Sequence, residues 1–156
     1  MSKLTDYGTV VLAFMASRPD SLISASEIAE ATRMAVPTVS KILKKLTVAG
    51  MLDSTRGAHG GYTLARDAAD ISAAEIIDAL EGPIAITECS GDHSHCSFES
   101  VCALGGRWQQ INGLIRAALT DISLAELASP AELTEIRLQP ALRRDARRLR
   151  TNPGNS

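Results

Sequence analysis

The chain of 156 residues contains no long apolar run and no recognisable secretion signal. No stretch approaches the roughly 18 apolar residues that a membrane-spanning helix needs. The opening MSKLTDYG lacks the charged and apolar regions of a signal peptide. We therefore expect a cytoplasmic protein with no membrane partner. The sequence also lacks a GxGxxG or P-loop pattern, so it does not indicate an enzyme, and we expect none.

Cysteine is scarce, and its number is odd. The chain has three cysteines, Cys89, Cys96 and Cys102, which cannot all pair within one molecule. In a reducing compartment, thiolate chemistry or metal ligation is favoured over a disulfide framework. The three thiols therefore need another explanation.

Charge is unevenly distributed along the chain, although the net charge is only -2. Residues 1–66 carry 8 Lys/Arg against 5 Asp/Glu, and residues 67–136 carry 2 against 12. Residues 137–156 carry 6 against 1. A basic N-terminal part is compatible with nucleic-acid binding, although charged faces are more often only solvated surface.

The first 50 residues carry the signals of three helices. Apolar periodicity predicts an amphipathic helix over 6–17. In SASE, Ser24 suits an N-cap with Glu27 three residues later, which predicts a short second helix. Pro37 suits the first turn of a third helix that ends at Gly50. The apolar stripe of this third helix is formed by Val39, Ile42, Leu43 and Leu46.

Residues 51–65 predict a glycine-tipped hairpin, which completes the order of elements in a winged helix-turn-helix. The glycines of its tip, Gly57, Gly60 and Gly61, are expected to supply positive backbone angles and close backbone approach. The third helix would enter a major groove, and Arg56 would reach a phosphate or the adjacent minor groove. The predicted DNA contacts are Thr38, Ser40, Lys41, Lys44, Lys45, Arg56 and His59. A helical core with a solvated lysine face and an ordinary hairpin is the alternative.

A second half follows the predicted wing. SAAE and SLAE are capping boxes that start further helices at Ser72 and Ser123, and Gly82 stops the first of them. Apolar residues spaced by 4, 3, 4, 3 and 4 predict a helix that pairs with a second copy of the chain, or alternatively an intrachain core helix. They are Leu104, Trp108, Ile111, Ile115, Ala118 and Ile122.

The fold class is therefore mostly α with a small β wing: a winged helix-turn-helix domain plus a long dimerisation helix. We divide the chain into four parts. They are the DNA-binding domain 1–82, a cysteine-containing loop 83–103, the dimerisation helix with a short following helix 104–128, and an arginine-rich C-terminal extension 129–156.

The cysteine spacing, Cys89-x6-Cys96-x5-Cys102, leaves several ligands open. The absence of a C-x2-C pair counts against structural zinc, although His93 and His95 keep that alternative. Iron–sulfur clusters prefer thiolates and tolerate a non-cysteine ligand. Three unrelated thiols, some of them buried, are the remaining alternative.

The motifs LTDYGTVVLAFMA, RGAHGGYTLAR, the three-cysteine loop and the tryptophan of GGRWQQI together resemble the iron–sulfur winged-helix regulators that include IscR and NsrR. The resemblance covers roughly residues 3–127, and LTDYGTVVL looks most like the proteobacterial regulator of SUF cluster assembly. It implies a bacterial homodimer on double-stranded promoter DNA. A [2Fe-2S] or [4Fe-4S] cluster on the three cysteines would control its affinity.

On this resemblance we expect a repressor of SUF genes. A nitric-oxide-sensing repressor of the same family is the first alternative. A thiol or iron–sulfur redox protein is the alternative from another class.

The chain departs from that family at the fourth ligand. IscR-like members have a histidine three residues after the last cysteine, where this chain has Gly105. NsrR-like members complete the site with an aspartate of the other subunit, and Asp6 stands at the matching place. The resemblance thus implies Asp6 as fourth ligand, with rivals His93, His95 and Glu99. Asp6 as N-cap of the first helix is the other interpretation.

One base contact of the family is also missing. A glutamate that reads a base in IscR-like members aligns with Ser40, so its role cannot be transferred to this chain. The family's wing arginine aligns with Arg56, for which the resemblance implies the same role.

Overall fold

The structure is a computed structural model that describes residues 2–84 and 105–129. These residues form six α-helices and one two-stranded sheet. The helices are α1 (Lys3–Ala16), α2 (Ala25–Thr32), α3 (Val36–Val48), α4 (Ala73–Glu81), α5 (Gly105–Thr120) and α6 (Leu124–Ala128). The strands are β1 (Leu52–Thr55) and β2 (Gly61–Leu64), and a 3₁₀ turn spans Ala68–Asp70. The predicted mostly α fold with a small β wing is confirmed.

Helix α1 begins three residues earlier than the apolar periodicity predicted. Ser2 is its N-cap, because the Ser2 hydroxyl accepts a hydrogen bond from the backbone N–H of Leu4 at 3.2 Å. Glu81 holds this end in place by accepting from the Ser2 N–H at 2.7 Å and from the Thr5 hydroxyl. Asp6 lies one turn inside the helix and is exposed. The interpretation of Asp6 as the N-cap of α1 is therefore wrong.

Three helices start with the same capping box. In each, the serine hydroxyl accepts from a glutamate N–H at 3.2–3.3 Å, and that carboxylate accepts from the serine N–H at 2.7–2.9 Å. These reciprocal bonds satisfy two N–H groups that a helix start leaves without a partner. The pairs are Ser24–Glu27 in α2, Ser72–Glu75 in α4 and Ser123–Glu126 in α6, all three as predicted.

Helix α3 begins without a capping box. Its N-cap is Ala35, which makes no side-chain cap, and Pro37 follows at the second helical position. Proline has no N–H, so one of the donors that a cap would satisfy is absent. The helix ends at Val48, and Gly50 turns the chain with φ 75°.

The predicted stripe of α3 is confirmed as its buried face. Val39, Ile42, Leu43 and Leu46 are fully buried among side chains of α1, α2 and α4. The core continues through Met51 and Leu52 at the start of the wing. It reaches Leu124 of α6, so α6 packs back onto α1 and the N-terminal core.

The wing is an antiparallel hairpin in which Leu52 pairs with Leu64 and Thr55 with Gly61. Tyr62 also exchanges backbone hydrogen bonds of 2.8 and 2.9 Å with Ile23, the residue before the α2 cap. This bridge fixes the hairpin against the helix-turn-helix. The observed order of elements is that of a winged helix-turn-helix.

The three glycines of the tip have different conformational roles. Gly57 alone among the three has a positive φ, 122°. At Gly60 a Cβ would collide with the carbonyl oxygen of Thr55, and at Gly61 it would lie 2.8 Å from the backbone of Ile23. Both expected roles are therefore present: Gly57 has the positive angle, and Gly60 and Gly61 allow the close backbone approach.

Helix α5 ends earlier than the apolar spacing predicted. Helix α5 ends at Thr120, so Ile122 lies in the turn to α6. There the Ile122 carbonyl accepts from Ala73 at 2.8 Å, and the Leu124 N–H donates to Ile71 at 2.7 Å. Leu104, the first member of the predicted seam, lies outside the described residues. No helix of the described ranges is long and apolar enough to cross a membrane.

Candidate nucleic-acid interface

The outer face of α3 is cationic and open. Ser40, Lys41 and Lys44 are exposed and lie opposite the buried stripe. Within residues 2–84 and 105–129, neither the Lys41 nor the Lys44 ammonium group makes a hydrogen bond or ion pair. Helix α3 contains no acidic residue, so nothing on the helix itself neutralises these two ammonium groups. Thr38 is half-buried beside them in the first turn.

Lys45 differs from its two neighbours. It is half-buried, and its ammonium donates a 2.6 Å hydrogen bond to the carbonyl oxygen of Leu80. Leu80 lies in the last turn of α4, where helix carbonyls lack intrahelical partners and the helix dipole favours a cation. Lys45, although predicted as a DNA contact, therefore does not share the open position of Lys41 and Lys44. Its side chain joins α3 to α4.

The wing presents two further candidate contacts. Arg56 and His59 are exposed in the tip between β1 and β2. The tip is closed by a 3.0 Å hydrogen bond from the Gly60 N–H to the Gly57 carbonyl. Among the described residues, neither Arg56 nor His59 makes a side-chain hydrogen bond or ion pair. An exposed arginine on a closed, narrow tip is suited to a phosphate or a minor groove.

The end of α4 connects several parts of the fold, and we call residues 78–84 the α4 junction. Its Leu80 accepts from Lys45 of α3, and its Glu81 accepts from Thr5 of α1 and from the N-cap Ser2. The hydrogen bonds to Thr5 and Ser2 hold the pKa of Glu81 below its usual range. The chain that leaves this junction leads directly into the cysteine-containing loop.

Helix α5 is bound to the same junction. The Arg116 guanidinium forms an ion pair of 2.5 Å with Asp78, and Asp78 also accepts from the Ile84 N–H at 3.2 Å. The Asn112 side chain donates to the Ile84 carbonyl at 2.9 Å. No pattern in the sequence indicated these contacts, because each depends on a tertiary approach of polar groups. Helices α1, α3 and α5 thus all contact the segment just before the loop.

Beside these contacts, α5 leaves large apolar side chains in solvent. Trp108, Ile111 and Ile115 are 38%, 40% and 40% exposed, and they follow the predicted spacing of 3 and 4. The only residue of α5 that is buried, among those whose side chains the structure describes, is Asn112. Such a strip is typical of a surface that packs against another chain.

The predicted metal ligands fall into two groups. Asp6 is exposed on α1. The three cysteines lie outside the described residues, as do the rival ligands His93, His95 and Glu99. In the described ranges no group of three or more His, Cys, Asp or Glu side chains could hold a metal ion.

Comparison with known proteins agrees with this architecture. The Rrf2 family, described as "Iron-dependent Transcriptional regulator", matches residues 1–130. Protein rrf2 of Nitratidesulfovibrio vulgaris is 33% identical over 128 residues, which cover 81% of this chain and 85% of that protein. The transcriptional regulator IscR of Vibrio atlanticus is 30% identical over 138 residues, 86% of this chain and 79% of that protein.

A solved structure gives the same result for the fold. CymR, described as the global cysteine regulator of B. subtilis, is similar with a TM-score of 0.65 and 28% identity. The similarity covers 85% of this chain and 98% of CymR. These relatives are transcriptional regulators and not enzymes, which agrees with the prediction that this chain is no enzyme.

Proposed function

Because the chain belongs to the Rrf2 family of transcriptional regulators, we propose that it is a homodimeric repressor whose DNA binding depends on an iron–sulfur cluster. Cys89, Cys96 and Cys102 are the proposed cluster ligands, and genes of SUF cluster assembly are the proposed targets. The relatives are regulators, which argues against the alternative of a redox protein.

The proposed DNA interface consists of α3 and the wing. The observation that carries it is the open cationic face of α3, where Lys41 and Lys44 have no partner within the described residues. Phosphate contacts from such lysines would position the protein without reading bases. Ser40 and Thr38 would lie in the major groove with the first half of α3, and Arg56 with His59 would contact the flanking backbone or minor groove.

The proposed dimer is supported by α5. Its exposed strip of Trp108, Ile111 and Ile115 is unpaired within the described part of one chain. Packing this strip against its copy would remove three large apolar side chains from water, at roughly 25 cal/mol for each Å² buried. A dimer would also bring two copies of α3 to successive major grooves, about 34 Å apart.

The proposed cluster is supported by the donor set. Three thiolates within 14 residues match the preference of iron–sulfur clusters, and the relatives include regulators named IscR. Asp6, exposed on α1, is the proposed fourth ligand from the partner chain. When bound, a cluster would supply a redox- and oxygen-sensitive group beside the DNA-binding domain. The chain's own contribution is the α4 junction, where Lys45 of α3 bonds Leu80 in the last turn of the helix that precedes the loop.

The test combines a spectrum with a promoter-binding assay on protein purified without oxygen. Wild type is expected to show visible absorption, and replacing any one of the three cysteines by alanine removes it or makes it labile. Promoter binding with and without the cluster is expected to differ by roughly 5- to 150-fold, the usual range of about 1–3 kcal/mol for coupling between two sites. The Asp6→Ala variant is expected to form a cluster that decays faster in oxygen.

Two outcomes would contradict the proposal that a cluster controls DNA binding. One is a colourless protein that retains one zinc per chain after reconstitution with iron and sulfide, which would make His93 and His95 the next candidate ligands. The other is equal promoter affinity of the wild type and all three cysteine variants. Loss of operator binding with stoichiometric nitric oxide would instead favour the nitric-oxide-sensing alternative.

A further inference from the structure

The leading turn of α3 presents an apolar surface beside its lysines. Val36 is the first residue of the helix and is 46% exposed, and Pro37 next to it is also exposed. Single exposed apolar residues are common on protein surfaces. Here two are consecutive, and they stand at the end of α3 that the proposed DNA interface places against base edges.

The same turn lacks the side chains that read bases by paired hydrogen bonds. Arginine and lysine read guanine in this way, and asparagine and glutamine read adenine. The first five residues of α3 are Val-Pro-Thr-Val-Ser, and Val39 among them is fully buried. The side chains of this turn that can face a major groove are therefore the apolar Val36 and Pro37 and the hydroxyls of Thr38 and Ser40. Hydroxyls discriminate poorly between bases, because they both donate and accept.

Thymine is the base that such a surface recognises. Its 5-methyl group is the apolar feature of the major groove, and side chains with methyl groups contact it. Val36 presents two methyl groups, and it lies one helical turn before Ser40 on the same side of α3. The cationic groups of Lys41 and Lys44 then flank this apolar tip and suit the phosphates on either side.

We propose that Val36 is a specificity-determining residue that reads the 5-methyl group of a thymine in each half-site of the operator. This inference rests on the proposed placement of α3 in the major groove. It assigns base recognition in the helix to an apolar contact.

The test removes the methyl group from the DNA and the side chain from the protein independently. An operator is first selected from random-sequence duplex with the full-length wild type isolated without oxygen. Each thymine is then replaced by deoxyuridine, which keeps the base pairing and lacks only the methyl group. At one position in each half-site we expect about fourfold weaker binding, the effect of removing one buried methyl group.

The Val36→Ala variant supplies the second arm. It is expected to bind the thymine operator about as weakly as wild type binds the deoxyuridine operator, with no further loss when both changes are combined. Val48→Ala is the matched control, because Val48 is 82% exposed at the other end of the same helix, about 18 Å away. This control should retain the full penalty for deoxyuridine. Both variants should unfold at the wild-type midpoint.

Each other outcome overturns the proposal in a recognisable way. Tolerance of deoxyuridine at every position would show that no thymine methyl group is read. An unchanged penalty in Val36→Ala would assign the methyl contact to another residue. A wild type without salt-sensitive binding to any duplex would overturn the DNA interface itself, and this inference with it.

Discussion

Helices α3 and α5 are of similar length but expose opposite kinds of surface. In α3 the apolar stripe lies in the core, and the exposed face carries Lys41 and Lys44. In α5 the one buried side chain among those that the structure describes is the polar Asn112, and the exposed face carries Trp108, Ile111 and Ile115. The difference teaches that the described part of the chain covers the apolar face of α3 but leaves an apolar strip of α5 exposed. Substitutions on each of these two faces should therefore have different effects.

The largest effect on stability is expected from the buried face of α3. Leu46→Ala should lower the free energy of unfolding by about 2–5 kcal/mol, because Leu46 is fully buried and its truncation leaves a cavity. Ile115→Ala in α5 should leave the stability of the single subunit within about 1 kcal/mol, since Ile115 is 40% exposed. Denaturant titrations at several protein concentrations separate subunit stability from association. Equal losses in the two variants would refute the contrast.

The next effect concerns association through α5. Ile115→Glu should raise the dimer dissociation constant at least about 30-fold, or about 2 kcal/mol, because the carboxylate would lose water without gaining a partner. Gln109→Glu is the matched control, which adds the same charge to the same helix at an exposed position outside the strip. Sedimentation velocity over a dilution series measures both. A monomeric wild type, or equal weakening by the control, would disprove this interface.

Two adjacent lysines test the exposed face of α3. Lys44→Ala should flatten the slope of log K against log salt by about 0.9 for each phosphate that the ammonium group no longer neutralises, with little effect on unfolding. Lys45→Ala should leave that slope unchanged and lower stability by about 1 kcal/mol, because it removes the hydrogen bond to Leu80. DNA titrations at four salt concentrations measure the slopes. A change of slope in Lys45→Ala alone would contradict the assignment of phosphate binding to Lys44 and of a purely structural role to Lys45.

The smallest effect concerns how the helices begin. Glu27, Glu75 and Glu126 accept hydrogen bonds from their cap serines, which lower their pKa values below 4.5 in the folded chain. Stability from these groups is fully present above the ordinary glutamate pKa and is lost as pH falls through the lower folded values. Helix α3 has no such carboxylate.

Wild type should therefore lose stability more steeply with acid than the triple Glu→Gln variant at these positions. The effect is small because the three carboxylates are largely solvated. Denaturant midpoints measured from pH 6 down to about pH 3 give the two slopes. Parallel slopes would show that the capping carboxylates do not contribute.

The sequence predicted features whose physical cause is local. A capping box needs four residues, so the starts of α2, α4 and α6 were predicted at the correct serine. The periodicity of α3 likewise predicted which face is buried and therefore that Lys41 and Lys44 are exposed.

Contacts between distant residues were missed. Ser2 is held by Glu81, which follows 79 residues later, and Lys45 bonds a backbone oxygen that no side-chain pattern marks. The tip glycines were identified, but their separate tasks depend on where Thr55 and Ile23 lie in space. The contact of α5 with the α4 junction also depends on tertiary approach.

The proline in the first turn of α3 has a consequence for the order of folding. Helices α2 and α4 carry start signals that act within four residues, and such local contacts form before the chain has closed any long loop. Helix α3 has no side-chain cap, so its first turn has little stabilisation until Ile42 and Leu46 pack into the core. In kinetic terms, α3 should form together with tertiary packing. Its apolar tip at Val36 and Pro37 would then take shape only once the rest of the domain holds it.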